Sequence, residues 1–455
     1  MTRLLVDCTY VYDHPNDNSG IQRVVRNVIR ELPTINQECE CIPVVMLQGK
    51  LYEVKSLAPL PTKGLDLVGL RAGLEQFANL LWLRQRTLER RRPFNQSVWA
   101  RRLLYVGCRL FALGCLSIPI RVLDRLLKRQ QVPTRSVPLE HRAGDQLVLL
   151  DSSWHSGFFP LAEKLKREGV GIISVVYDLI PLTHPQFCDA GLVKVFNHWF
   201  DWIARTADGY IAISTTIRDQ LREEMVRRIG EQQVRERWFD YFHLGSELDL
   251  VDATSAIDSK LLRVFTQPEP VFLMVSTIEP RKNHAYLLDA FERAWAAGSK
   301  ARLCIVGKIG WKCEDLIERI RRHPQLNSRL FMFNNLSDHS LEHAYQHATA
   351  LVFPSYVEGF GLPLVEAMQR GLPAMGSDIE VFREIGGEFM AYFNLEDPQS
   401  LADLVTGMEN SGVFPASRPL DQWQWLSWRQ ASAQLVERIE RHIDEVILDR
   451  ETACE

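Results

Sequence analysis

The stretch FPSYVEGFGLPLVEAM, residues 353–368, decides how the chain is read. The apolar ALVF (350–353) that leads into it has the character of a buried strand end. SYVEGFG reads as a loop, because Gly359 and Gly361 permit backbone conformations that other residues resist. Pro363 suits a first helical position, where its missing N–H is no loss. Glu366 then falls in the first turn of a helix, and Glu358 sits among the glycines. Two carboxylates thus border a strand-to-helix turn. Glu366 near a helix N-terminus is favourable by about 0.3–1 kcal/mol with no ligand at all. The same helix end attracts phosphate, and an ionised carboxylate suits sugar and ribose hydroxyl donors.

The surroundings of this stretch are strands alternating with amphipathic helices. VFLMVST (271–277), ARLCIVG (301–307), RLFMFNN (329–335) and LPAMGSD (372–378) flank it as strands, with helices between. An earlier series has LLVDCTYV (4–11), CIPVVML (41–47), QLVLLD (146–151), GIISVVYD (171–178) and YIAIS (210–214). Near-continuous apolar strands separated by helices imply parallel sheets covered on both faces. Two such sheets are expected in an α/β chain of 455 residues, which is too long for one core. Linker composition near 250–268 divides residues 1–260 from 261–425. A last helix, 426–455, is expected to pack back on the first domain.

Ligands of open α/β sheets bind beyond the carboxyl ends of the strands. STIEPRKNH (276–284) puts Arg281 and Lys282 at one such end, a pairing that suits a diphosphate and equally a solvated loop. VGKIGW (306–311) offers glycines for close backbone approach. Arg-Lys upstream and a Glu pair around GFGLP are together less common than either alone.

These residues carry a resemblance. EGFGLPLVE resembles the Glu-x7-Glu motif of retaining glycosyltransferases of family 4, which have the GT-B fold. STIEPRKN resembles their Arg-Lys-Asn segment, and NSGIQRVVRNV (18–28) their G-I-x-R segment. VVYDLIPLTHPQF (175–187) and WQWLSWRQASAQL (423–435) are similar to stretches of polysaccharide-assembly members. The likeness covers most of the chain and leaves out about 50–145.

The resemblance implies two Rossmann-like domains facing a cleft, with the C-terminal helix crossing back. It implies a nucleotide-diphosphate sugar held mainly by the second domain, no separate cofactor and no metal. Arg281 and Lys282 would neutralise the diphosphate, Glu366 would accept from ribose hydroxyls, and Glu358 would orient the transferred sugar. Backbone N–H groups of Phe360, Gly361 and Leu362 would meet sugar or phosphate oxygens. Phe333 to Leu336, with Asn335, would border the base, and Gly20 in the first loop would leave room for the diphosphate. Relatives carry His-Asp where this chain has Tyr177-Asp178. Asp178 is a sugar-side or acceptor-side candidate or a structural turn cap, and His184 and His155 are further candidates. The implied activity is a hexosyl transfer with retention, of mannosyl or rhamnosyl type, to a lipid-linked or polysaccharide acceptor of the cell surface. A nucleotide-sugar epimerase or a catalytically silent nucleotide-sugar-binding partner would keep much of the same pattern.

Bulk properties agree with a cytoplasmic α/β protein. The net charge of -4 gives no general reason to expect nucleic acid, and no nucleic-acid module surrounds the one basic stretch. That stretch, 84–135, has thirteen Lys/Arg against Glu89 and Asp124. Nine scattered cysteines without C-x-x-C fit a reducing compartment. Within the basic stretch the apolar run 103–118 would extend only about 24 Å as a helix, with Arg109 in its middle and Pro119 interrupting it. Contact with an anionic membrane surface, peripheral on the cytoplasmic face, is therefore expected rather than spanning; a soluble helical insertion is the other reading.

Overall fold

A computed structural model describes residues 2–15, 19–35, 39–57, 67–89, 93–94, 96–154, 156–247, 256–334 and 336–454. The chain forms two compact units. One comprises residues 1–8, 18–42 and 141–455; the other comprises 9–17 and 43–140. Both parallel sheets lie in the first unit, so compactness separates the inserted stretch from the sheets rather than one sheet from the other.

The strands are β1 (Arg3–Asp7), β2 (Glu40–Leu47), β3 (Lys50–Val54), β4 (Ser136–Pro138), β5 (Gln146–Leu149), β6 (Gly171–Val176), β7 (Gly209–Ala212) and β8 (Trp238–Tyr241). A second set follows: β9 (Val271–Val275), β10 (Arg302–Val306), β11 (Leu330–Phe333), β12 (Ala350–Phe353), β13 (Ala374–Ser377) and β14 (Ala391–Phe393). In the first unit β1, β5, β6, β7 and β8 pair in that order, all parallel. The second sheet has the order β11-β10-β9-β12-β13-β14, also parallel throughout. Every residue of β7 and β12 is buried, as expected of strands covered on both faces. Phe272, Met274, Leu287, Phe291, Leu303, Ile305 and Val352 form the core around β9 and β10.

The order of the second sheet fixes where a ligand can sit. Chain progression runs outward from β9 to β11, then returns to β12 on the other side of β9. Loops after β9 and β12 therefore diverge, and the gap between them is the topological switch point. Residues 276–284 and 354–361 are those two loops.

Two corrections concern the first unit and its neighbour. LLVDCTYV is not one strand: β1 ends at Asp7 and Thr9–Asp13 forms a short helix. Gly20 is the first residue of the helix Gly20–Glu31 rather than a loop residue. The C-terminal helix Trp428–Cys454 packs on Gly20–Glu31. Asp240 at β8 receives Arg438, Arg441 and His442 from it at 3.2, 2.7 and 3.0 Å, and Glu440 accepts from the Cys39 amide at 3.0 Å.

In the second unit β2, β3 and β4 are antiparallel. Gln48 and Gly49, with φ of 51° and 73°, make the tight turn between β2 and β3, as paired positive φ values favour. Arg135 is buried, 4.1 Å from the Tyr12 ring, and donates to the carbonyls of Ser56 and Leu57. Two long helices follow, Leu67–Glu89 and an uninterrupted run from Val98 to Arg135. Arg71 pairs with Asp124 at 2.5 Å, so the two run antiparallel. Pro119 does not interrupt the second helix, contrary to expectation. A π-helical turn at Ala112–Ser117 precedes it, and such a turn relaxes the spacing where a proline lacks its N–H and crowds the preceding carbonyl.

Candidate active site

Glu358 is the hub of a charged cluster at the switch point. Its Oε2 accepts from Arg281 Nη1 at 2.7 Å. Its Oε1 accepts from Lys282 Nζ and from Ser355 Oγ, the latter at 2.6 Å. Both Lys282 and Glu358 are buried. Burial alone would raise the Glu358 pKa, but the charges of Arg281 and Lys282 and its hydrogen bonds hold it down to about 2. Burial and Arg281 lower the Lys282 pKa while Glu358 opposes them. Arg281 is also tied to Glu279 at 2.6 Å. Burial raises the Glu279 pKa, against the pull of Arg281 and Lys282.

Two formal cations and two formal anions thus form one cluster. Both cations are held in place and largely desolvated, and their charge is met within the cluster by the two carboxylates. Ser355 and Glu279 are members of the cluster that the sequence reading did not single out. Their nearness in sequence to Glu358 and Arg281 was the available signal.

The local backbone explains the glycines. Gly361 caps the helix Leu362–Gln369 at φ 109°, a conformation that favours glycine. Gly359 answers a different need, close approach. A Cβ there would lie 2.1 Å from the carbonyl oxygen of Tyr177 and 3.1 Å from Asp178 Cβ. The loop after β12 therefore touches the loop after β6, and Ser214 Oγ donates to the Gly359 carbonyl at 3.1 Å.

Glu366 is the fifth residue of its helix, not a member of the first turn. Its position turns the carboxylate inward. It is buried, bonded to Arg23 from the helix Gly20–Glu31, and accepts from Tyr345 OH at 2.8 Å. Burial and the adjacent Glu366 carboxylate push the Tyr345 hydroxyl well above its ordinary pKa. Arg23 lies inside the quoted segment NSGIQRVVRNV but was missed as a site residue, because nothing local to that helix indicates its partner. Gly20 lies in the same region: a Cβ on it would meet Leu362 Cδ1 at 3.6 Å.

The remaining candidates divide. Asp178 Oδ1 accepts from the Ile180 amide at 3.0 Å, a turn cap. Withdrawal from water raises its pKa, while Arg281 acts against that, which places it near the same charged cluster. Tyr177 OH donates to the Leu150 carbonyl at 2.6 Å and so is directed into the first sheet's edge. His184 bonds Thr183 Oγ1 through Nδ1 at 2.9 Å and stacks near Phe187; burial lowers its pKa. Phe360 is buried between His243 and Trp425, which leaves its backbone for any ligand role. Leu336 is half-buried beyond β11. Asn335 and His155 lie outside the described residues. Among the described residues no cluster of three or more His, Cys, Asp or Glu could hold a metal ion.

Three ties hold the two sheets' loops against each other. Glu384 accepts from the amides of Thr215 and Thr216 at 2.7 and 2.9 Å and pairs with His243 at 2.9 Å. Burial opposes ionisation of Glu384, yet His243 and the Thr215 and Thr216 amides bring its pKa to about 2. Trp311 Nε1 donates to the Phe187 carbonyl at 2.8 Å, and Lys312 Nζ to those of Gln186 and Cys188.

Residues 263–417 match the family described as "Glycosyl transferases group 1". The chain is 35% identical over 312 residues to the serotype-specific mannosyltransferase WbdA of Escherichia coli, covering 66% of this chain and 38% of that protein. The chain therefore spans well under half the length of this relative. It is 28% identical over 236 residues to the O-antigen chain mannosyltransferase RfbU of Salmonella typhimurium, covering 51% of this chain and 60% of the other. Sucrose-phosphate synthase from Thermosynechococcus elongatus matches in structure with a TM-score of 0.51 at 16% identity, over 100% of both chains. Residues 263–417 thus match a group 1 glycosyltransferase domain, and the chain has the GT-B fold, with two parallel sheets.

Proposed function

We propose that the chain moves a hexosyl group, of mannosyl type, from a nucleotide-diphosphate donor to a lipid-linked or polysaccharide acceptor in cell-surface glycan assembly. The observation that carries this reading is the Glu358-centred cluster at the switch point, where Arg281 and Lys282 converge from the loop after β9. The mannosyl type is supported by the named activities of the relatives in Escherichia coli and Salmonella.

The residues divide the work as follows. Arg281 and Lys282 neutralise the diphosphate as charge develops on the leaving group, which favours the transition state over the ground state. Glu358 holds both cations in place and through them orients the transferred sugar. Glu366, released from Arg23 or shared with it, accepts from the ribose hydroxyls. Because Glu358 is engaged by three donors, it is a poor covalent nucleophile. Retention then follows from front-face displacement, with the leaving phosphate taking the acceptor proton. The cation pair supplies the positive charge that a metal would otherwise bring, so chelator should leave the rate unchanged.

The test is a purified-protein assay with UDP-, GDP-, dTDP- and ADP-sugars, read first by thermal shift. Binding to the native state raises its apparent stability, and the guanine-linked mannosyl donor should give the largest shift. Transfer should then need an acceptor and give a product of unchanged anomeric configuration. Turnover without acceptor would indicate epimerisation, and a covalent sugar trapped on Glu358 would overturn the front-face step.

A further inference from the structure

The helix that begins at Val98 leaves an apolar surface uncovered. Over Val98–Leu126 it runs 29 residues, with a mean hydropathy of 1.8 and only 11% burial in its most apolar window. Trp99, Leu103, Val106, Leu110, Leu113 and Ile118 are each about half exposed or more, Trp99 at 74% and Leu103 at 72%. Only a narrow strip, Ala112, Leu116 and Leu123, is buried, where the helix meets Leu67–Glu89. Between residues 103 and 120 the one charged residue is Arg109. That segment is about 27 Å long at about 1.5 Å per residue, close to the hydrocarbon thickness of about 30 Å.

A helix lying on a membrane surface needs a polar face turned to water. This one is apolar around most of its circumference, the mark of a helix surrounded by apolar material. Exposed Arg101 and Arg102 precede the segment, and exposed Arg121 and Arg125 follow it. Arginines at both ends suit anionic headgroups, toward which their long side chains can extend. A second copy of the same helix is a poor cover. In either relative direction it would bring arginines against arginines, and Asp124 is already paired with Arg71.

We infer that Val98–Leu126 inserts into the hydrocarbon of an anionic bilayer, so that the chain is membrane-embedded through this helix rather than held at the surface by charge. The inference stands independently of the transferase reading.

The experiment uses the full chain and vesicles of phosphatidylethanolamine with phosphatidylglycerol. The protein is expected to float with the vesicles, to stay with them in high salt and alkaline carbonate, and to be released by detergent. Leu103→Glu, Leu110→Glu and Leu113→Glu combined should lower partitioning by at least about a hundredfold, since a carboxylate at the centre of an inserted helix is costly. These positions are exposed, so the variant should keep its thermal unfolding and its donor-induced thermal shift. Failure of capture is thereby separate from failure of donor binding. Independently, a blue shift of tryptophan fluorescence on adding vesicles should shrink in Trp99→Phe. Release by salt alone, or residence in the soluble fraction, would overturn the inference. So would a concentration-dependent dimer lost in the triple variant with no vesicle capture, which would assign the face to a second copy.

Discussion

Two regions of this chain handle charge in opposite ways. At the switch point Arg281, Lys282, Glu279 and Glu358 are drawn out of water and hold one another at hydrogen-bond distance. Along Val98–Leu126 the arginines other than Arg109 stand exposed near the two ends, and most of the apolar side chains between them are exposed. Burying ions together is costly unless their geometry is tightly set, so the first arrangement fits the proposed diphosphate, which could replace part of the pairing. Leaving so much apolar surface in water is costly too, so the second indicates an apolar phase. The same residue types, arginine beside leucine, serve opposite solvents depending on which of them is covered.

The widest separation between the regions should come from Glu358→Ala. It strands Arg281 and Lys282 without their shared counter-ion. Removing one partner of a buried pair costs about 3–5 kcal/mol, seen as a lowered thermal midpoint. Transfer should fall at least about a hundredfold as the cations lose their aim. Unchanged stability and turnover would break the contrast with the helix, where changing three exposed leucines together should leave thermal unfolding and the donor-induced shift as they are.

Lys282→Ala should come next. It removes one of the two cations proposed to meet the diphosphate but leaves Arg281 paired with Glu358, so folding should suffer less while kcat/KM drops about a hundredfold, the scale for losing one preorganised donor. A pure KM effect with unchanged kcat would place Lys282 in ground-state binding alone.

How far these regions were legible in the sequence follows from how local their causes are. The second sheet was readable because each strand is a short apolar run bounded by turn residues, and because Arg281, Lys282 and Glu358 lie in two contiguous loops with Glu366 in the helix that follows the second. Arg23 and Tyr345 were not readable as partners of Glu366. Their pairing depends on how distant elements pack, 343 residues apart for Arg23. Gly359 was singled out for backbone freedom, whereas its place is set by the Tyr177 carbonyl from a different strand end. The helix Val98–Leu126 was underestimated because Pro119 was read as a break, and only the three-dimensional path reveals the π-helical turn that accommodates it.

A smaller effect is expected from Glu384→Gln. The folded-state pKa of Glu384 is about 2 against an ordinary 4.5. The unfolded chain therefore binds the proton first, and the stabilisation is complete above pH 4.5 and lost as pH falls toward 2. The variant should be less stable than wild type near neutrality by about 2–3 kcal/mol, and the gap should close through that window. His284 adds acid sensitivity at higher pH. Its burial beside Lys282 lowers its pKa from 6.5 to about 3, so stability also falls as pH drops from 6.5 toward 3. Thermal midpoints measured across pH for both proteins check the two windows, since only the lower one should change in Glu384→Gln.

The smallest effect sharpens the role of Glu366. Tyr345→Phe removes one hydroxyl that donates to its Oε2, at a cost of about 1 kcal/mol when one buried hydrogen bond is lost. Arg23 remains on the other oxygen, so the carboxylate keeps its charge and place. If Glu366 meets the ribose, freeing one oxygen should change donor Kd by at most about fivefold and leave kcat unaltered, because the ribose is remote from the breaking bond. Arg23→Ala supplies the opposing case, since it frees the oxygen that the ion pair now occupies. Equal losses of kcat in both variants would mean that Glu366 shapes the reacting end of the crevice instead, and its carboxylate would have to be reassigned from the ribose to the sugar.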